Sequence, residues 1–163
     1  MKGVEVKIDR TKEVMRSLRM LTTMQVMVGV PSDETERKDE DTPINNAQIA
    51  YLAEYGSAAA NIPARPVLIP GVTAVSVQCA KIIAKGAADS ILGGFDKLVV
   101  AMNKAGLIAQ ASVRKTLTEG QGFEPLAEST LKARERDGFK GKKPLIVTGQ
   151  LRNAYNYVVR KRG

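Results

Sequence analysis

Histidine and tryptophan are missing from this 163-residue sequence, and cysteine occurs once, at Cys79. Without histidine the chain lacks the commonest general base and the commonest metal ligand, so neither a Ser-His-Asp nor a Cys-His site can be built. One cysteine excludes an intrachain disulfide and a CxxC metal site; lying in an apolar helical pattern, Cys79 reads as a small buried hydrophobe. No GxxxxGK[ST] or GxGxxG phosphate cradle occurs. Glu124 and Glu128 sit beside Pro125 in polar surroundings and read as solvated acids, not as an acid/base pair. The expectation is a protein that is not an enzyme and holds no metal or cofactor. Aromatic residues make up 4%, which leaves few platforms for stacking bases. No run approaches the roughly 18 consecutive apolar residues of a membrane span, and MKGVEVKIDR has no apolar signal-peptide core. A soluble protein that stays inside the cell during synthesis, with no membrane partner, is expected.

What is present suits one domain, residues 1–163, with 44% hydrophobic residues to build a core. The formal charge of +8 is unevenly spread. Pro31 to Thr42 carries Asp33, Glu34, Glu36, Asp39, Glu40 and Asp41 against Arg37 and Lys38, a net of −4. From Lys132 onward ten bases face Glu135 and Asp137, a net of +8. This polarity suits contact with DNA and equally suits head-to-tail association of identical copies. Lys140, Lys142, Lys143, Arg160, Lys161 and Arg162, in the basic C-terminal segment 139–163, form a candidate contact surface able to neutralise phosphates.

Alternation in Val4–Ile8 predicts a strand, helical spacing of Val14, Leu18 and Leu21 predicts a helix over 10–21, and QVMVGV predicts a strand over 25–30. The acidic stretch 31–43 has charge without apolar residues and is expected to be a mobile loop. Ala47, Ala50, Tyr51 and Tyr55 mark a short helix stopped by Gly56. NIPARPVLIPG, residues 61–71, then concentrates Pro63, Pro66 and Pro70. Proline pushes its predecessor out of the α region, so Ile62, Arg65 and Ile69 are expected to be extended in a rigid strap that presents side chains. Val72, Val75, Cys79, Ile82 and Ile83 mark a helical face before Gly86. Phe95, Leu98, Met102, Ala105, Ala109 and Val113 mark another, running to about Glu119; whether Gly93-Gly94 splits or bends the stretch is left open by the pattern. A short helix over 127–135, a basic loop from Phe139, Thr148 as an N-cap for GQLRNA, and a closing strand over 155–159 complete the reading. Tyr155 and Tyr157 fall on one face of that strand, as core packing requires.

Two blocks carry a resemblance. NNAQIAYLAEYGSAAANIPARPVLIPG resembles the segment of tailed-bacteriophage neck and tail-completion proteins of the HK97 gp10-like and Mu virion-morphogenesis type, in which a helix ending near E-[YF]-G precedes an IPARPF-like strap. Downstream, PLAESTLKARERDG followed by KKPLIVTGQLRNAYNYVV is similar to the same group's PL…ST helix and its PLI-x-TG-x-L-x-x-S closing motif. The blocks span roughly half the chain in the matching order. Val67 stands in place of the usual Phe, Val147 where an acid is common, and Ala154 in place of a common Ser. The resemblance implies an α+β domain with long helices on an antiparallel sheet, assembled as a homo-oligomeric ring of six or alternatively twelve copies. Its place would be the virion neck, between portal or connector and tail-terminator or tail-tube proteins, around the DNA channel. A tail-terminator ring is a sibling reading, and a basic DNA-binding accessory protein is the alternative of another class. Arg65, with Pro63, Pro66, Glu54 and Tyr55, forms the candidate strap-anchor or subunit-interface set. An extended backbone holds the Arg65 guanidinium ready to grip a carboxylate in two places, and both an intrachain partner such as Glu54 and an intersubunit one are open.

Overall fold

The computed structural model describes residues 9–31, 44–94 and 96–162. The strand expected at Val4–Ile8 and, beyond Pro31, the expected mobile acidic loop lie outside the described residues. Helix α1 (Thr11–Thr23) is preceded by Asp9, whose carboxylate accepts the Thr11 amide at 2.9 Å. Hydrogen bonds from the Thr11 side chain and backbone hold the Asp9 carboxyl below its ordinary pKa. The helix ends in a β-branched pair, Thr22 and Thr23, whose hydroxyls bond back to the Arg19 carbonyl and whose helix propensity is low. Strand β1 (Met24–Gly29) follows without a loop.

β1 pairs antiparallel with β2 (Asn156–Lys161), with Val26 opposite Val159 and Val28 opposite Tyr157. A two-stranded ribbon is marginal by itself. This one lies on helix α4 (Asp96–Glu119), where the Tyr157 ring covers Gly106 so closely that an added Cβ would come within 2.2 Å of it.

α4 forms an antiparallel hairpin with α3 (Leu68–Gly93), turning at Gly94 with φ 109°. The Gly93-Gly94 pair therefore splits the helical stretch. Gly86 does not end α3. A Cβ there would sit 2.1 Å from the Cβ of Ala101, so Gly86 marks a close approach of the two helices and the helix runs through it. Gly71 plays the same part against Val113, at 2.7 Å. The α4 face Leu98, Met102, Ala105, Ala109 and Val113 is buried as its spacing predicts. Cys79 is half-buried, not buried; its thiol donates to the Ala105 carbonyl at 3.4 Å, and desolvation pushes its pKa up.

Three shorter helices complete the order along the chain, α2 (Asn46–Tyr55), α5 (Glu128–Arg136) and α6 (Gln150–Ala154), with α6 packed against α2 and α4. α2 starts with a capping box, in which Asn45 and Gln48 satisfy each other's amides at 2.9 Å. α6 is not capped by Thr148: Gly149, at φ 78°, occupies the N-cap position and no side chain bonds there. The core joins these pieces, with Val67, Val113, Leu117, Leu151 and Tyr155 buried together and Val28, Ile49, Phe123 and Ile146 packed around them. Tyr155 thus belongs to the end of α6 and not to the closing strand. The architecture is α+β, long helices against an antiparallel sheet.

Candidate assembly surface

α2 is a helix where its pattern predicts one, but it buries a different face. Asn46, Ala53 and Glu54 are buried, while the Tyr51 and Tyr55 rings pack against each other at a 47° tilt, ring centres 4.9 Å apart, and remain 64% and 63% exposed. The reason lies in the strap. Glu54 is buried, and its carboxylate accepts three backbone amides at the start of α3, from Val67 and Leu68 at 2.8 Å and from Ile69 at 2.9 Å. These N–H groups have no partner within the helix and carry the positive end of its dipole. The strap ends at Val67, the N-cap of α3, whose ψ of −47° is already not extended. Ile69 and Pro70 belong to the first turn of α3, against the expectation that Ile69 is extended. Proline is tolerated there because the amide it lacks would point out of the helix. Gly56 follows α2 at φ 71°, where a Cβ would meet the Ile62 carbonyl at 2.7 Å. The glycine after Glu54-Tyr55 is what lets the chain double back.

Arg65 is 8% exposed. Its partners are within the chain and are not carboxylates: Nε donates to the Glu124 carbonyl at 2.9 Å and Nη2 to the Pro125 carbonyl at 3.2 Å. Glu54, whose oxygens are spent on the amides of α3, does not pair with it. The Arg65 amide also donates to the Ala53 carbonyl at 2.7 Å, tying strap to α2. Two further arginines, which the sequence reading missed, act in the same way. Arg134 Nη1 donates to the carbonyls of Gly141, Lys143 and Ile146, gathering the basic loop. Desolvation, and after it the nearby Arg65 charge, lower the Arg134 pKa. Arg114 holds the Tyr155 and Asn153 carbonyls at the junction of α6 and β2. Nothing in the sequence pattern distinguishes these arginines from solvated ones on a basic surface.

The candidate basic residues do not form one patch. Lys140 and Lys142 stand on the loop beside α5, and Lys143 Nζ donates to the Thr118 carbonyl at the C-terminal end of α4, 3.1 Å away. Arg160 and Lys161 lie opposite Gln25 and Met24, at the far end of β2, with Arg162 next to them donating its amide to Thr23. Tyr157 rests on Gly106, which is about 18 Å along α4 from Thr118, and Arg160 lies farther out still. Pro63 is half-buried and Pro66 exposed.

The outer side of α3 mixes Ile69 and Val77 with Thr73, Gln78, Lys81 and Lys85. By length and composition alone α3, from Leu68 to Ile91, is apolar enough to cross a membrane; Val72, Val75, Cys79, Ile82 and Ile83 on it are half-buried. Ile69 and Val77 on α3 are 56% and 67% exposed, and Val100 and Leu107 on α4 are also uncovered. No grouping of metal-binding side chains occurs among the described residues. Compared with known proteins, the chain matches no family model, no curated protein and no solved structure.

Proposed function

We propose that this chain is a structural subunit of a phage virion, one copy of a closed ring at the head-tail junction around the DNA path. The observation that carries the reading is the set of uncovered large apolar side chains on α2 and the long hairpin: Tyr51, Tyr55, Ile69, Val77, Val100 and Leu107. A chain that leaves such side chains uncovered gains by burying them against another subunit. Heterologous contacts close into a ring when the rotation per subunit divides the circle. The polarised charge and the resemblance of the strap and the closing motif support the same reading, and the copy number of six, with twelve as the alternative, rests on that resemblance. Portal or connector protein on one side and tail-terminator or tail-tube protein on the other are the proposed neighbours. A tail-terminator ring differs only in which neighbour it meets.

Electron microscopy of assembled particles tests this. The chain should appear as a ring at the portal-tail junction; finding it elsewhere, or as a single copy there, would overturn the reading. A DNA-binding accessory role requires the two separated basic groups to act together. In that case the purified chain would bind duplex DNA at physiological salt with a salt slope reporting several phosphates.

A further inference from the structure

From Ile44 to Ala80 the sequence carries two charged residues, Glu54 and Arg65, in a chain that is 26% charged. The fold buries both and bonds both to backbone groups, so the whole run exposes no charge. Glu54 Oε1 accepts the Ile69 amide at 2.9 Å, which sets the end of α2 against the first turn of α3. From there Ile69, Thr73, Val77 and Ala80 run at helical spacing along one exposed side of α3, and Tyr51 and Tyr55 are exposed on α2. Depletion of charge with enrichment of tyrosine is the composition that marks an interface core. The uncovered parts of Tyr51, Tyr55, Ile69 and Val77 alone amount to roughly 500 Å², against about 800 Å² per partner in a stable interface.

Outside this run, the most exposed large apolar side chains are Val100 and Leu107 on α4. They alternate with Lys97 and Lys104 at spacings of three and four residues, a single exposed stripe. Two such stripes facing each other would set lysine against lysine. Against an uncharged face with two tyrosine rings, the lysine stems lie on apolar surface and the ammonium groups meet aromatic π-faces.

We propose that the charge-free face, α2 with the first half of α3, packs on the α4 stripe of a second copy of the chain. The inference rests on the ring reading and names its contact. The two faces differ, so each copy uses one toward each neighbour and association runs head to tail. DNA does not suit the charge-free face, which offers its phosphates no cation.

Sedimentation of the full chain and two variants tests this. Val77→Lys puts a charge on the first face and Leu107→Lys on the second; both positions are more than half exposed, so the melting temperature should not change. Wild type should self-associate as strongly or more strongly as salt rises from about 50 to about 500 mM, because the contact has no ion pair to screen and copies of charge +8 repel less. Each variant alone should associate at least about tenfold more weakly. Mixed in equal amounts, the two should form a one-to-one pair and stop there, since each keeps the face that the other has lost. A wild-type monomer at every concentration, either variant associating as wild type does, or a mixture that forms no pair overturns the inference. The ring reading is judged separately, from the particles, and stands if a neck ring is seen there with both variants incorporated normally.

Discussion

Glu54 and Tyr155 are opposite cases of a buried polar group. The Glu54 carboxylate is saturated by three amides of α3, so its worth lies in bonds that nothing else can replace. Glu54→Gln should lower unfolding free energy by roughly 1.5–3 kcal/mol, read by urea denaturation, with Glu54→Ala lower still because it strands all three donors. Tyr155, 1% exposed, buries a hydroxyl that has no partner among the described residues. Tyr155→Phe removes an unsatisfied group at nearly constant shape and should leave stability unchanged or raise it by up to about 2 kcal/mol. Burial, and after it the Glu54 charge, raise the Tyr155 pKa above its ordinary value. The neutral phenol is therefore favoured by the fold, a contribution fully present below the unfolded pKa of about 10 and lost as pH rises through the folded one. Wild type should lose stability above about pH 10 more steeply than Tyr155→Phe; parallel curves in alkaline denaturation would contradict this.

At the scale of elements, two opposing terms meet at Gly86. Helix propensity alone makes Gly→Ala stabilising by about 1 kcal/mol. The new methyl would stand 2.1 Å from the Ala101 Cβ, on backbone that is helical on both sides. Overpacking of this kind costs about 1–3 kcal/mol, and at 2.1 Å it prevails. Gly86→Ala should therefore lower the melting temperature, and Gly86→Ala with Ala101→Gly should recover most of the loss. Failure of the double variant to recover would place the cause elsewhere than in the helix crossing. The same distinction explains why the pattern places α3 but not its length: a glycine reads as a stop, and only the facing helix shows that it is a contact.

For the whole molecule the question is what covers α3. Val77 is 67% exposed in the middle of that helix, so in the isolated chain a polar residue there meets water. Val77→Lys should change monomer stability by no more than about 0.5 kcal/mol, yet it should block incorporation into particles if α3 is buried by a neighbour. A variant that melts and incorporates like wild type would direct the search to Tyr51 and Tyr55 on α2. Those rings are large, rigid and two-thirds exposed, the kind of side chain that anchors interfaces.

Sequence by itself determined the elements whose signals are local. The α4 face from Leu98 to Val113, the break after Glu119 and the stop at Gly56 follow from periodicity and glycine, and these are properties of neighbouring residues. It also determined that the strap is stiff, because proline acts on its own backbone and on the residue before it. Tertiary structure decided which face of α2 is buried, since that depends on Glu54 meeting amides thirteen to fifteen residues away. It decided that Pro70 opens a helix instead of continuing a strap, because the carboxylate satisfies the amides before it. It decided the roles of Arg65, Arg114 and Arg134, whose acceptors are backbone carbonyls that no side-chain pattern records. Each of these is set by a contact between segments distant in the chain, and a linear pattern carries the donors and acceptors without saying which of them meet.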